Sequence, residues 1–387
     1  MFILEKPYVS EFMVDTLVNN DWAVLDNQIV EESDIEEDAF NLWSTKKAVD
    51  YYLFQEFPLI YSNSENATDW VLENLPKSNI SSYIRFFKDK IEFRELLKEI
   101  FPNFYFKAIE FENLKTLKQE DLRFPLVLKP SVGFLSLGVH SINDFSEWND
   151  VLKKLKTEMD YATSIYPANV VNSSKFILEE KILGDEYAID AYYDRNGDIV
   201  IVNIFQHPFL NETDVRDRVY ITSADIMIRY MAKFAQLLRK IGELKNIRNF
   251  PLHMEVRVTP EGEIIPIEIN PMRFAGWCTT DVAKYAWNIN VYECFYSQKR
   301  PNWNNILAQK GKEIYYFSMA EVPSGYTNKH INEYDYNGLL ANYSNVLEVR
   351  RINPNVYPLF AVIFGSTNDE NEIKRILEIK TEKYIIS

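Results

Sequence analysis

The chain has few cysteines, no long apolar run and fewer basic than acidic residues. Its 387 residues include two cysteines, Cys278 and Cys294, too few for a disulfide framework or a cysteine-rich metal site. No stretch approaches ~18 consecutive apolar residues, so we expect no membrane-spanning helix. With 42 basic and 57 acidic residues the net charge is −15, which opposes binding to a phosphate backbone. Nucleic acid is therefore not an expected partner.

Glycine is also missing from the first part of the chain. The opening alternates strand, helix and strand, yet no glycine precedes Gly133. A glycine-rich phosphate turn is therefore excluded there, and the opening is not a dinucleotide-binding fingerprint. The first eight residues include Glu5 and Lys6 instead of the apolar run of a secretory signal, so we expect a cytoplasmic protein.

What the sequence does contain is typical of a globular α/β protein. Hydrophobic residues make up 47% of the chain and charged residues 26%, which is close to average soluble usage. At ~150 residues per domain, the length predicts two or three packed units.

The most informative segment is a predicted strand pair over residues 252–270. Side chains alternate between the faces of a strand, so one face carries charged residues and the other apolar ones. A tight turn in the middle would place Glu255 opposite Pro266 and diagonal to Glu268, with Asn270 further along the same face. Such oxygen ligands suit Mg²⁺, which also takes ligands from substrate phosphates. The alternative is a solvated hairpin with a charged outer face.

A second signal is a lysine at the end of an apolar strand. Lys129 would be costly to bury unpaired, so we expect its ammonium group to meet an anion. The small residues that follow, including Ser131, Gly133 and Ser136, would let backbone N–H groups approach phosphates. The alternative is an ordinary hairpin with Gly133 and Gly138 at positive φ.

A third signal is the segment 176–186, in which an apolar strand is followed by a polar pair, an apolar pair and a glycine turn into another strand. The backbone at Glu180–Ile182 could pair with the edge of an adenine, and Glu186 could accept the ribose hydroxyls. The alternative is an ordinary strand connection.

The order and spacing of these segments resemble the ATP-grasp superfamily, which includes D-alanine:D-alanine ligase, biotin carboxylase and the carbamoyl phosphate synthetase large subunit. The resemblance runs from about Lys88 to Asn290, and Glu268-Ile269-Asn270 is its most specific part. It implies an α/β (α+β) fold with two central subdomains that grip ATP. The implied domains are an N-terminal pre-ATP-grasp α/β domain (1–88), subdomain A (89–175), subdomain B with the metal site (176–300), and a small C-terminal α/β lid or capping region (301–387).

The resemblance also implies roles for individual residues. The phosphate-binding residues it implies are Lys90, with Lys88 as the alternative, Lys129, and the loop residues Ser131, Gly133 and Ser136. His253 stands where some relatives carry a phosphate-binding arginine. The adenine hinge and ribose residues it implies are Glu179, Glu180, Lys181, Ile182 and Glu186. The metal ligands it implies are Glu255, Glu268 and Asn270, with Glu268 bridging two Mg²⁺ ions, for which Mn²⁺ is a substitute. Arg273 would stabilise an acyl phosphate and would act in catalysis together with Lys129.

The resemblance implies an ATP-dependent ligase that activates a carboxylate as an acyl phosphate for attack by an amine, with release of ADP and phosphate. The expected cofactors are ATP and Mg²⁺, and the expected partners are a small-molecule carboxylate and an amine, with a homodimer as the default assembly. The alternatives are a kinase or thiol ligase of the same fold, or a non-catalytic nucleotide-binding scaffold. Cys278 lies among aromatic and apolar residues, which is typical of a packed core cysteine and not of a nucleophile.

Overall fold

The computed structural model describes residues 1–32, 39–132, 138–165, 174–210, 216–323, 331 and 333–386. Within these ranges the α-helices are α1 (Glu11–Asn19), α2 (Gln28–Glu31), α3 (Thr45–Phe54), α4 (Ala67–Asn74), α5 (Asn79–Lys88), α6 (Lys90–Leu97), α7 (Trp148–Ile165), α8 (Ala224–Lys245), α9 (Val282–Trp287), α10 (Val291–Tyr296), α11 (Trp303–Ala308), α12 (Tyr336–Leu340) and α13 (Glu370–Leu377). In these same ranges, none of the helices is both long and apolar enough to cross a membrane.

The strands assemble into several sheets. They are β1 (Phe2–Ile3), β2 (Ala23–Leu25), β3 (Asn41–Trp43), β4 (Tyr61–Ser62), β5 (Phe106–Glu110), β6 (Leu126–Pro130), β7 (His140–Ile142), β8 (Lys175–Glu180), β9 (Asp185–Tyr193), β10 (Ile199–His207), β11 (Val219–Ser223), β12 (Phe250–Val258), β13 (Ile264–Pro271), β14 (Ile314–Glu321), β15 (Glu333–Tyr334), β16 (Val346–Arg351), β17 (Leu359–Thr367) and β18 (Ile385–Ile386). The sheet orders are β3-β2-β1-β4, β5-β8-β6-β7, β15-β18 and β13-β12-β9-β10-β11-β14-β17-β16.

Short polar side chains fix where several helices begin. Ser10 accepts a hydrogen bond from the N–H of Met13 at the start of α1, and Ser223 accepts one from Ile226 at the start of α8. Each satisfies an N–H group that has no partner inside the helix. At Ser223 the chain passes directly from β11 into α8, whereas a short loop separates β1 from the helix that Ser10 caps.

The chain divides into two compact units, and both are assembled from separated segments. The first unit comprises Met1–Pro76, Asp185–Val256 and Asn270–Ser387, and the second comprises Lys77–Gly184 and Arg257–Ile269. The four predicted segments, 1–88, 89–175, 176–300 and 301–387, divide the chain along its length, and that division stays a prediction.

The first unit begins with parallel strands. β1 pairs in parallel with β2 and β4, so the predicted β-α-β opening is confirmed. Parallel neighbours require a crossover, which α1 supplies between β1 and β2. Strands β9 and β17 are almost entirely buried, as expected where both faces of a sheet are covered, and β17 begins with an apolar run from Leu359 to Phe364. The charged residues on β9 therefore need specific partners.

The second unit contains an antiparallel sheet covered by α7. The inward side chains of β6 and β8, Leu126, Leu128, Phe176 and Leu178, form one core with Trp148 at the start of α7. The opposite face of the same strands carries Lys129 and Glu179. The strand alternation thus separates the core of this unit from its charged residues.

The predicted register of the 252–270 hairpin is wrong. Gly262 has φ +87° and donates to the carbonyl of Thr259, while Thr259 donates to the carbonyl of Glu263. This is a turn with a glycine bulge, which adds one residue to the returning strand. At the base of the hairpin Met272 donates to the carbonyl of Pro251, whereas the predicted register pairs residue 251 with residue 270.

Candidate active site

Lys129 in the second unit meets the carboxylate that its position requires. Its Nζ lies 2.7 Å from Oε2 of Glu179, and both side chains are buried. Glu179 on β8 pairs with Val127 on β6, two residues from Lys129, so the two charged side chains share a face of the sheet. The predicted anion partner of Lys129 is therefore present inside the protein, in a residue assigned from the sequence to the adenine hinge.

Arg94 completes this buried cluster and was not predicted. Its guanidinium contacts both carboxylate oxygens of Glu179, at 2.7 and 3.2 Å, and donates to the carbonyl of Pro266 at 2.7 Å. The guanidinium also packs 4.3 Å from the ring centre of Phe104. A sequence signal existed, because Arg94 lies three residues before Leu97 on the buried face of α6. A charged residue in that position requires a buried counter-ion.

The cluster holds two cations against one carboxylate. Burial alone would raise the pKa of Glu179, but Arg94 and Lys129 lower it to about 2, so this carboxylate is ionised at neutral pH. Burial lowers the pKa of Lys129, and Glu179 opposes that shift. One unit of positive charge in this cluster is thus left over for an anionic ligand, which is an arrangement suited to a phosphate.

Lys90 and Ser131 lie next to each other in the second unit. The N–H of Lys90 donates to the carbonyl of Ser131 at 2.8 Å, and Asp89 caps the helix that Lys90 opens. Nζ of Lys90 lies 3.2 Å from Oε2 of Glu268. Oγ of Ser131 is buried and has no hydrogen-bond partner among the described residues, so it can bind a further group.

Two of the predicted loop residues, Gly133 and Ser136, lie outside the described residues.

The predicted adenine hinge uses several of its own backbone groups internally. The N–H groups of Glu180 and Lys181 donate to the carbonyls of Tyr105 and Pro125. The carbonyl of Ile182 accepts from Arg257 at 3.0 Å. A base edge that reached the carbonyl of Ile182 would therefore share this oxygen with Arg257.

Gly184 ends the hinge at a point where no side chain fits. It has φ +121°, and a Cβ atom there would lie 2.1 Å from the carbonyl oxygen of Val258. The glycine is thus required both by its backbone conformation and by the close approach of this strand. The glycine turn that the sequence indicated is confirmed in this position.

In the first unit, Glu186 is held by a histidine. Glu186 on β9 is the cross-strand partner of His207 on β10, and Nδ1 of His207 lies 3.1 Å from Oε1 of Glu186. The His207 ring is buried and stacks on Tyr220 at 4.4 Å. Patterns within one strand do not connect these residues, because the cross-strand register is needed to pair them.

Also in the first unit, Glu255 and Asn270 contact each other. Nδ2 of Asn270 lies 3.3 Å from Oε1 of Glu255, and Nε2 of His253 lies 3.7 Å from the same oxygen. His253 is buried, and its Nδ1 lies 2.7 Å from Oδ1 of Asp190. His253 is therefore held between two carboxylates, one fully buried and one partly exposed.

Arg273 follows a residue with an unusual backbone conformation at the end of β13. Met272 adopts a left-handed conformation with φ +65°, which is uncommon for a residue other than glycine. Nη2 of Arg273 lies 2.6 Å from Oε1 of Glu65, and Nη1 donates to the carbonyl of Phe274. Burial alone would lower the pKa of Arg273, but the nearby carboxylate of Glu65 raises this pKa above its usual value. A phosphate at Arg273 would therefore share it with Glu65.

The oxygen donors of these side chains fit a magnesium ion whose coordination shell is completed by a bound ligand. Within the ranges that the structure covers, no three His, Cys, Asp or Glu side chains are grouped so as to hold a metal ion by themselves. Carboxylate and amide oxygens are nevertheless the groups that Mg²⁺ prefers, and Mg²⁺ commonly takes one or two carboxylates together with substrate phosphates.

Part of the chain that carries these residues matches a known protein family. Residues 122–281 match the family described as "ATP-grasp domain". Over this range the chain is similar to an ATP-grasp domain. The match includes Lys129, the hinge, Glu186, the hairpin and Arg273, whereas Lys90 and Arg94 precede it. The predicted resemblance, from about Lys88 to Asn290, is confirmed over this range.

Solved structures support the same fold over nearly the whole chain. An L-amino acid ligase from Bacillus licheniformis is 15% identical with a TM-score of 0.71, covering 100% of this chain and 97% of its own. The biotin carboxylase domain dimer of 2-oxoglutarate carboxylase from Hydrogenobacter thermophilus, solved with MgADP, is 12% identical with a TM-score of 0.61, covering 95% and 86%. N5-carboxyaminoimidazole ribonucleotide synthetase from Thermotoga maritima is 14% identical with a TM-score of 0.61, covering 99% and 98%. A search of curated proteins gives no significant match. The ATP-grasp fold predicted from the sequence is thus confirmed.

Burial of Cys278 agrees with its interpretation as a core residue. Burial raises the pKa of its thiol to about 12, so the thiolate is not available near neutral pH.

Proposed function

We propose that the chain is an ATP-dependent ligase that joins a small-molecule carboxylate to an amine and releases ADP and phosphate. The observation that carries this proposal is the match of residues 122–281 to the family described as "ATP-grasp domain", a range that contains Lys129, Glu186, Glu255, Glu268 and Asn270. The similarity to an amino acid ligase supports the choice of an amine as acceptor.

In this proposal the basic residues of the second unit bind the phosphates. Lys90, Lys129 and the Oγ of Ser131 provide the charge and the hydrogen bond, and the surplus positive charge beside Glu179 is the reason that Lys129 remains available. The N–H of Ile182 reads the adenine, and the carboxylate of Glu186 accepts the ribose hydroxyls. These residues act by positioning and by charge neutralisation, which is most of what phosphoryl transfer requires of a protein.

Glu255, Glu268 and Asn270 would hold Mg²⁺, with Glu268 bridging two ions and Mn²⁺ as a substitute. The metal, when bound, neutralises phosphate oxygens. Lys90 would orient Glu268, and His253 would orient Glu255. Such residues matter because ligands that are held in place bind a metal more tightly than ligands that must be ordered.

The reaction proceeds in two transfers. A carboxylate oxygen of the substrate attacks the γ-phosphorus, the bond from that phosphorus to the ADP oxygen breaks, and Arg273 neutralises the transferred phosphoryl group. The amine nitrogen of the second substrate then attacks the acyl carbon, phosphate leaves, and the amine proton passes to solvent. The product is an amide. We further propose a cytoplasmic enzyme that forms homodimers.

The first test measures ADP release with pooled amino acids and small carboxylates, and then compares Glu268→Ala with Glu263→Gln. Glu263 is an exposed carboxylate on the same hairpin and serves as the matched control. Because Glu268 would hold the metal, we expect Glu268→Ala to lower turnover by about 100-fold or more and Glu263→Gln to leave it within about twofold of wild type. Wild-type turnover in Glu268→Ala would refute the metal-site assignment.

The products separate this proposal from its alternatives. A ligase releases ADP and phosphate together only when both co-substrates are present. A kinase of the same fold would release ADP and a stable phosphorylated product, and a thiol ligase would require a thiol in place of the amine. A non-catalytic scaffold would show no turnover. If calorimetry also detected no binding of MgATP, a scaffold that binds nucleotide would be excluded as well.

A further inference from the structure

A carboxylate is buried in the middle of strand β9 of the first unit. Asp190 has no exposed surface, and its neighbours along the strand, Ile189 and Ala191, are buried apolar residues. Burying a carboxylate is costly unless its oxygens accept hydrogen bonds from fixed donors. A residue of this kind in an apolar strand therefore needs a reason for its charge.

One oxygen of Asp190 accepts two hydrogen bonds from different segments. Oδ1 lies 2.7 Å from Nδ1 of His253 on β12 and accepts from the backbone N–H of Ala275 at 2.8 Å. Oδ2 is buried and has no hydrogen-bond partner among the described residues. Asp190 thus joins β12 to the segment that follows β13 through a single oxygen atom.

Each of these two bonds leads to a residue of the candidate active site. His253, fixed at Nδ1, presents its Nε2 at 3.7 Å from Oε1 of Glu255, which in turn lies 3.3 Å from Nδ2 of Asn270. Ala275 is two residues beyond Arg273. Its fixed N–H thus anchors the backbone that carries this guanidinium toward Glu65.

We propose that Asp190 is a positioning residue that holds the Glu255 and Asn270 pair, through His253, and the Arg273 segment, through Ala275, in one arrangement. The inference rests on the proposed function, because it takes Glu255 and Asn270 as metal ligands. Asp190 contacts neither substrate nor metal. Its two acceptor bonds make the orientation of the metal ligands and the position of the arginine depend on each other.

The first experiment measures Mn²⁺ binding by electron paramagnetic resonance in the presence of a non-hydrolysable ATP analogue. The test variant is Asp190→Asn, which keeps the size and one acceptor oxygen but removes the charge that orders His253. The matched control is Asp194→Asn, four residues on. Asp194 is also a buried, ion-paired carboxylate, but its partners are Arg300 and the backbone of its own turn.

Loss of an outer partner of a metal ligand typically costs 10- to 100-fold in metal affinity, so we expect Asp190→Asn to weaken Mn²⁺ binding by about 10-fold or more and Asp194→Asn by less than about twofold. Equal Mn²⁺ affinities in the two variants would overturn the inference. If Asp190→Asn does not fold, His253→Gln carries the same test, and an unchanged Mn²⁺ affinity in that variant would overturn it equally.

A second readout follows the hydrogen bond itself. The chain has four histidines, so the imidazole N–H signals of ¹⁵N-histidine-labelled protein are few, and His253→Gln assigns one of them by its loss. A short bond to a carboxylate moves this proton signal downfield, and we expect Asp190→Asn to move it upfield while Asp194→Asn does not. An unmoved signal would overturn the inference even if activity falls.

The two proposals fail in distinguishable ways. If the wild-type protein does not bind Mn²⁺ with the ATP analogue, the proposed function fails, and the metal-positioning role of Asp190 fails with it. If the wild-type protein binds both and Asp190→Asn binds Mn²⁺ equally well, only the role of Asp190 fails.

Discussion

At the residue scale, the second unit depends on charges that are buried together. Arg94, Lys129 and Glu179 form one cluster in which a single carboxylate serves two cations. Removing one member of a buried pair is costly because the other keeps an uncompensated charge. Loss of one member of the cluster is therefore expected to destabilise the fold, apart from any effect on the proposed phosphate binding.

We expect Arg94→Met to lower the free energy of unfolding by about 3 kcal/mol, measured by urea denaturation, because Glu179 would keep only Lys129 as a partner. The control is Lys98→Met near the end of the same helix, where Lys98 forms an exposed ion pair with Glu95. Removing that exposed pair should change stability by less than about 0.5 kcal/mol. Equal effects of the two substitutions would contradict the structural role given to Arg94.

The sequence could point to Lys129, Glu255, Glu268 and Asn270 because each stands in a recognisable strand pattern. It could not supply their partners, since Arg94 and Glu179 are 85 residues apart, and Asp190 and His253 are 63 apart. The separation between Glu65 and Arg273 is 208 residues. Contacts over such distances depend on the tertiary arrangement, which periodicity within one segment does not specify.

At the element scale, helix α8 shows how packing overrides a local signal. The sequence predicts a helix over 224–241 that ends at Gly242, because glycine commonly follows the last turn. In the structure α8 continues to Lys245, and Asn246 ends it in a left-handed conformation. Gly242 lies against Tyr193, where a Cβ atom would approach a ring carbon to 2.3 Å. The glycine permits close packing of helix on strand instead of ending the helix.

We expect Gly242→Ala to destabilise the protein by about 1–2 kcal/mol, because overpacking against the buried Tyr193 ring outweighs the better helix propensity of alanine. Gly311→Ala is the control, since a Cβ atom at Gly311 meets nothing within 4 Å. We expect that change to alter the thermal midpoint little. A neutral or stabilising effect of Gly242→Ala in calorimetry would show that the helix can move away from β9.

A second difference concerns a predicted single helix over 281–296. The structure contains two helices, because Asn288 adopts a left-handed conformation after α9 and Asn290 caps α10. Asparagine tolerates this backbone conformation and also caps helices well, so the same residue type ends one helix and begins the next. Helical structure is therefore present over most of the predicted range, and the two asparagines determine where the helix is interrupted.

At the scale of the whole molecule, the ATP-grasp fold was predictable because several modest signals occur in the expected order. No one of them was specific, and the composition excluded membrane and nucleic-acid classes first. The division into two units was not predictable, because each unit combines segments from distant parts of the chain. Long-range contacts bring those segments together, such as Arg273 with Glu65 in the first unit and Arg94 with the Pro266 carbonyl in the second.

Binding of one nucleotide should stabilise the chain by a free energy that grows with the logarithm of its affinity. At an MgATP-analogue concentration 100 times the Kd, the expected gain is about 2.7 kcal/mol, seen as a rise in the thermal midpoint. Lys129→Met should weaken binding at least 10-fold and reduce that gain to about half, whereas Lys98→Met should keep it. A full stabilisation of Lys129→Met by the analogue would exclude Lys129 from phosphate binding.

Because the segments of the two units alternate along the sequence, few truncated fragments retain a whole unit. A fragment cloned to the family match, 122–281, would begin inside the second unit and omit α6, leaving Glu179 without Arg94. A fragment that stops at Gly184 would lose the returning segment 257–269 and the Pro266 carbonyl that anchors Arg94. A contiguous deletion fragment that is inactive would therefore reveal a loss of folding and not the loss of a catalytic residue. Point substitutions in the full chain avoid this ambiguity.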